Sequence, residues 1–240
     1  KKARAEGVTV PVILMGYYNP ILNYGEEKFI KDAAEAGANG FIIVDLPPEE
    51  AIKVRNYVHD NGLSLIPLVA PSTTDERLEL LSQIANSFVY VVSRMGTTGA
   101  QTSVASDLDV LVARVRKHTG ETPIAVGFGV ATREHFTTVG ELADGVVIGS
   151  KIVNLCKDAP QGKRYETAKD YVEGILAGVK HKNPTTEEFY AMQKKSKEDA
   201  QLTKGVIGNF HEAHKHKMNF GDFGGQYVPE ALHACLRELE

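Results

Sequence analysis

The chain has 240 residues, with 27 Lys and Arg against 31 Asp and Glu for a net charge of -4, and it is 42% hydrophobic and 24% charged. That balance fits a globular chain able to bury a sizeable core and excludes a disordered or fibrous one. An acidic net charge with no basic stripe excludes nucleic acid as a partner. The longest apolar runs, at 10–15 and 88–92, fall far short of the roughly 20 residues that span a bilayer, so no membrane partner is expected. No signal segment is visible. Cys156 and Cys235 are too far apart for a metal knuckle and form no disulfide framework, which points to a reducing, cytoplasmic setting and no metal.

In chain order, KKARAEG reads as the tail of a helix, and CLRELE closes the chain in mid-helix without a terminating Gly or Pro. Both ends are therefore expected to be cut points in a longer protein. Between them, apolar β-rich runs at 11–15, 40–44, 64–68, 88–92, 123–126 and 145–148 alternate with amphipathic stretches. This is the pattern of βα units around a parallel sheet buried on both faces. The helices are expected at 26–36 ending at Gly37, 49–59 ending near Gly62, 108–118, 132–139 and 165–179. A further helix follows Thr73 and Glu76, which have capping-box spacing ahead of Leu78, Leu81 and Ile84.

Six units suit either an open doubly wound sheet or most of an eight-stranded (β/α)8 TIM barrel. The glycine turns of 123–150, PIAVGFGVATREHFTTVGELADGVVIGS, separate the two. Gly127 and Gly129 admit close backbone approach, and helices beginning near Thr132 and after Gly149 offer unpaired N–H groups, the requirements of a phosphate grip. A single Gly-x-Gly more often makes only a tight connection; two consecutive glycine turns shift the balance toward phosphate. In a barrel such loops follow strands seven and eight, and here they follow the fifth and sixth. The expected fold is therefore a barrel lacking its first two βα units.

Past Gly178 the composition turns charged and poor in apolar periodicity, as expected of a linker over 181–218 with a helix at 186–197. Its HEAHKH run, carrying His211, His214 and His216, is one residue short of the HExxH spacing and reads as solvated. Glycines and aromatics return in FGDFGGQY, and Pro229 opens a helix, so a second domain is expected to start at 219–240.

Four stretches would lie at the carboxyl ends of strands, where barrel enzymes build sites: 15–20, 45–48, 93–100 and the paired glycine turns. Tyr17, Tyr90 and Phe128 can wall an apolar pocket, with core packing as the equal alternative. The N–H groups of Gly99, Gly129, Gly149 and Ser150, with the Ser150 hydroxyl, can converge on a phosphate. Asp45 reads first as a cap on the following loop and second as a catalytic carboxylate.

The segments PVILMGYYNPILNYG, GFIIVDLPPEE, PLVAPSTTDERL, YVVSRMGTTGA, AVGFGV and GVVIGSKIV resemble, in order, those of the tryptophan synthase α family over about 11–178. FGDFGGQYVPEALHACLRELE resembles the opening of the β family, giving the fused fungal-type order of α before β. Thr97 stands where the family usually has valine, a change that leaves backbone phosphate contacts intact. The resemblance implies cleavage of indole-3-glycerol phosphate to indole and glyceraldehyde 3-phosphate in the α half. Condensation of indole with L-serine on PLP follows in the β half. It implies that Tyr17, Tyr90 and Phe128 line the indole and glycerol pocket and that Thr98, Gly99, Gly129, Gly149 and Ser150 hold the phosphate. It places the catalytic carboxylates upstream of Lys1 and the PLP lysine beyond Glu240, so no catalytic residue and no cofactor is assigned to this α part, and the piece alone is expected to be inactive. The implied partners are the substrate, the chain's own β domain and, as a homodimer, a second full chain. The alternatives are a non-catalytic sugar-phosphate-binding protein and another sugar-phosphate lyase or isomerase on a similar barrel.

Overall fold

A computed structural model describes residues 1–93, 101–127, 129–179, 187 and 191. Two compact units emerge. The described part of the first is residues 1–68, 72–87, 187 and 191, and that of the second is 69–71, 88–93, 101–127 and 129–179.

In the first unit, the short helix α1 (Lys2–Ala5) precedes strand β1 (Ile13–Gly16), helices α2 (Tyr18–Tyr24) and α3 (Glu26–Ala36), strand β2 (Gly40–Ile43), helix α4 (Pro48–Asp60) and strand β3 (Ser64–Leu65). Helix α5 (Asp75–Ile84) completes it. The strands are parallel in the order β1-β2-β3, with Ile13 opposite Gly40 and Gly40 opposite Ser64. Apolar positions on α3, α4 and α5 pack on this sheet, leaving Ile30, Phe41, Val54, Val58, Leu78 and Ile84 essentially without solvent contact. Strand β1 forms one edge, and there Leu14 and Met15 remain exposed.

The second sheet runs β4-β5-β6-β7, from β4 (Leu68–Val69), β5 (Val89–Val92), β6 (Ile124–Gly127) and β7 (Gly145–Val147). Its helices are α6 (Gln101–Thr119), α7 (Arg133–Gly140), α8 (Ser150–Asp158) and α9 (Arg164–Leu176). Strands β5, β6 and β7 are parallel, with Val92 opposite Gly127 and Gly127 opposite Val147. Val89, Val91, Val115, Ile124, Val126 and Val139 are fully buried.

The run expected as one strand at 64–68 is two, β3 and β4, in different sheets. Ile66 still donates to Phe41, but Pro67 has no N–H to continue a ladder. On the other side of β3, the Asn86 side chain accepts from Leu65 N–H and donates to the Leu63 carbonyl, both at 3.1 Å, where a neighbouring strand would have bonded. Helix α2 was not expected. Helix α5 begins at Asp75 with Thr74 as its N-cap, one residue later than a cap at Thr73 would set it, and the Thr74 side chain makes no cap bond. Helix α6 starts seven residues before the apolar pattern at 108 becomes legible, and the helix expected after Gly149, read from the sequence as a single turn, is α8 with nine residues. Of the segments expected as linker and second domain, only Glu187 and Ala191 are described, both helical; the remainder, with the HEAHKH run, lies outside the described residues.

Candidate functional site

Strands β6 and β7 are neighbours in parallel register, so the connections leaving them emerge at the same end of the second sheet. After β6 the chain turns through Gly129 at φ 85°, a left-handed conformation that a side chain at this position would strain. Thr132 then caps α7, its Oγ1 accepting from His135 N–H at 3.2 Å. The turn is held from helix α9 as well. The Tyr171 hydroxyl donates to the Ala131 carbonyl at 3.0 Å, and the Arg133 guanidinium donates to the Gly174, Ile175 and Ala177 carbonyls where α9 ends.

Gly149 is the N-cap of α8 and Ser150 its first residue. The Ile152 and Val153 amides fold back on the Gly149 carbonyl, leaving those of Ser150 and Lys151 at the open end of the helix. No atom of the described residues lies within 4 Å of where a Gly149 Cβ would stand. Two N-terminal helix ends that follow adjacent parallel strands at one end of the sheet can receive an anion.

Gly127 has a different reason for lacking a side chain. A Cβ there would stand 2.5 Å from the Tyr90 hydroxyl and 2.9 Å from Val147 Cβ. Tyr90 itself is buried, and burial raises its phenol pKa. The structure thus places Tyr90 against the strand end that leads into the Gly129 turn.

The remaining aromatic belongs to the first unit. Tyr17 is the N-cap of α2, is 63% exposed, and lines an apolar cleft of about 460 Å³ with Met15, Pro20, Ile21, Phe29 and Phe41. Its backbone neighbour Tyr18 is tied at both ends. Tyr18 N–H donates to Asp45 Oδ1 at 2.6 Å, and the Tyr18 hydroxyl donates to Glu26 Oε1. Lys53 of α4 donates to the other Glu26 oxygen. Burial alone would raise the Glu26 carboxyl, but the Lys53 and Tyr18 bonds outweigh it and hold the pKa below its ordinary value. Burial, then the Glu26 bond, pushes the Tyr18 phenol well above the usual range. Asp45 therefore caps helix α2, which precedes it in the chain, and not, as its first reading held, the loop that follows it.

Thr98, Gly99 and Phe128 lie outside the described residues. The sequence reading passed over Tyr18, Glu26, Lys53, Arg133 and Tyr171, whose partners are 8 to 44 residues away. No local pattern marks such pairs. Among the described residues, no group of His, Cys, Asp and Glu side chains has the arrangement to hold a metal ion, and no helix is long and apolar enough to cross a membrane.

Residues 1–183 match the family described as the tryptophan synthase alpha chain. The chain is 76% identical over 239 residues to tryptophan synthase of Saccharomyces cerevisiae, a match that takes in all of this chain and 34% of that protein. It is 41% identical over 172 residues to the tryptophan synthase alpha chain of Roseiflexus sp., covering 72% of this chain and 66% of that one. It thus spans about a third of the yeast protein and about two thirds of the bacterial chain. Among solved structures, one of the tryptophan synthase a2b2 complex from Pyrococcus furiosus superposes with a TM-score of 0.66 at 36% identity, covering 74% of this chain and 71% of that one. The fold, with its parallel sheets, is the TIM-barrel-like α/β fold of these proteins, and the chain belongs to the tryptophan synthase alpha chain family.

Proposed function

We propose that this chain is the substrate-gripping part of a fused tryptophan synthase that cleaves indole-3-glycerol phosphate to indole and glyceraldehyde 3-phosphate. The observation that carries the reading is the pair of connections leaving adjacent parallel strands: the Gly129 turn, and the α8 N-terminus at Gly149 and Ser150 with open space at Gly149. Backbone amides aimed at a dianion are each worth about 1.5–3 kcal/mol, more than the helix dipole at about 0.3–1. With Thr98 and Gly99 they form the proposed phosphate site, while Tyr17, Tyr90 and Phe128 wall the indole and glycerol.

Cleavage requires a base to take the proton of the glycerol hydroxyl next to the ring. The O–H electrons then form the aldehyde as the bond to the indole ring carbon breaks, and an acid returns a proton to that carbon. In this reading both groups are carboxylates outside 1–240, and this chain supplies position, not proton transfer. Residues 1–180 form the α-type barrel part, 181–218 the linker and 219–240 the opening of the β-type domain. That domain uses PLP to join indole to L-serine, and no residue here is assigned to the cofactor. The complete chain is proposed to work as a cytoplasmic homodimer.

The test is to give the complete fused protein indole-3-glycerol phosphate and follow indole and glyceraldehyde 3-phosphate together. Equal amounts of both are expected, and none from the 240-residue chain alone. A complete protein that releases neither product overturns the reading. Indole from the 240-residue chain would place an acid or base within it, with Asp45 the first carboxylate to replace.

A further inference from the structure

We propose that Asp45 is a positioning residue for the ring pocket: it holds Tyr17 in place by capping helix α2 from a different βα connection. The proposal rests on the functional reading above, in which Tyr17 walls that pocket. Strand β1 runs into α2 through Tyr17 alone, and this N-cap is a tyrosine whose side chain makes no cap bond. A phenol on its ring cannot fold back onto the amides of its own first turn as Ser or Asp does. Tyr18 N–H would therefore begin the helix without a local acceptor. Asp45, 27 residues later, supplies it at 2.6 Å. A carboxylate on a helix N-terminal amide is a charge-assisted bond placed at the positive end of the dipole.

A second set of contacts makes this bond part of a closed ring. Val44 N–H donates to the Gly16 carbonyl at 2.9 Å, continuing the β1–β2 ladder to the residue before Asp45. From the same Tyr18, the hydroxyl reaches Glu26 at the start of α3, and Glu26 takes Lys53 from α4, the helix into which the Asp45 loop leads. Tyr18 is thus held through its amide by one end of the loop and through its ring by the helix after it. Tyr17 precedes it by one residue with its own side chain 63% exposed, so its direction follows from the backbone that Asp45 holds.

The rival role for Asp45, proton transfer, predicts different mutants. In Asp45→Asn the amide oxygen still accepts from Tyr18 N–H, whereas no acid or base remains; in Asp45→Ala both are gone. In the complete enzyme, Asp45→Ala is expected to lower kcat/KM for indole-3-glycerol phosphate about tenfold, mainly through KM. Asp45→Asn should stay within about threefold of wild type and keep its pH profile. In a Tyr17→Ala background, Asp45→Ala should add less than about threefold, because the two act through one wall.

Asn as impaired as Ala, a displaced pH profile, or full additivity with Tyr17→Ala would each overturn the proposal. So would unchanged kinetics in Asp45→Ala or in Tyr17→Ala. If Asp45→Ala does not fold, the Asn variant still decides between capping and proton transfer. A wild-type enzyme that makes no indole overturns the functional reading itself, an outcome distinct from an active enzyme indifferent to Asp45.

Discussion

The connection after β1 and the turn after β6 both leave the carboxyl end of a parallel strand, yet they are stabilised by different chemistry. The first is held by charged side chains: Asp45 on the Tyr18 amide, and Glu26 between Tyr18 and Lys53. The second is held mainly through backbone groups and by the exclusion of a Cβ: Thr132 on His135, Tyr171 on Ala131, the Arg133 guanidinium on the carbonyls that end α9, and Tyr90 filling the space at Gly127. A ring of charges tolerates an irregular entry into a short helix, but it depends on protonation. The turn after β6 rests on glycine, backbone carbonyls and a permanent guanidinium charge, and contains no carboxylate bond of the kind that holds Tyr18. The neighbouring α8 start suits an anion, since its first turn carries no acidic residue.

The largest expected effect tests the second region. In the complete enzyme, Gly149→Asp sets a carboxylate where the phosphate is proposed to sit, and should weaken indole-3-glycerol phosphate binding about a hundredfold or more. Gly149→Ala should change it less than about threefold, since its Cβ would meet no residue beyond its chain neighbours within 4 Å. Equal affinities for wild type and Gly149→Asp would remove this turn from the site.

Next in size is Gly127→Ala. The added methyl collides with Tyr90 and Val147, and overpacking of this kind costs about 1–3 kcal/mol. The midpoint of urea unfolding should fall accordingly, and adding Tyr90→Phe should recover part of it by removing the hydroxyl that stands nearest. No recovery would mean that the strand backbone, not the phenol, sets the space.

The charged ring should answer to pH where the glycine turn does not. Because the folded pKa of Glu26 is lowered, its stabilisation is complete above the unfolded value and is lost as pH falls through the folded one. Glu26→Gln should cost about 1–3 kcal/mol at neutral pH. The gap between wild type and variant should narrow as pH falls below the ordinary carboxylate range and through the lowered folded pKa of Glu26, where both side chains become neutral. A gap that persists in acid would show that the geometry of the site, and not the charge of Glu26, carries the contribution. Smallest of all, Tyr171→Phe removes one neutral bond to Ala131, worth about 1 kcal/mol. It should move the unfolding midpoint slightly and the same amount at pH 4 and 7.

Much of this was legible along the chain. Periodicity located the strands because a parallel sheet buried on both faces demands continuous apolar runs. Gly129 and the Gly149–Ser150 helix start could be read because turn chemistry is local. The split of 64–68 was less visible: Pro67 signals it, but the competing acceptor is the side chain of Asn86, about 20 residues on. Helix α2 was missed because its first amide is satisfied by Asp45 and not by a neighbour.

By itself the sequence determined the alternation of strand and helix, the family and the places where a phosphate could be held, since each rests on residues adjacent in the chain. Only the tertiary structure decided why Gly127 lacks a side chain, which helix Asp45 caps and what keeps Glu26 ionised. Those depend on atoms brought together across 8 to 37 residues, and packing, not local pattern, sets which of them meet.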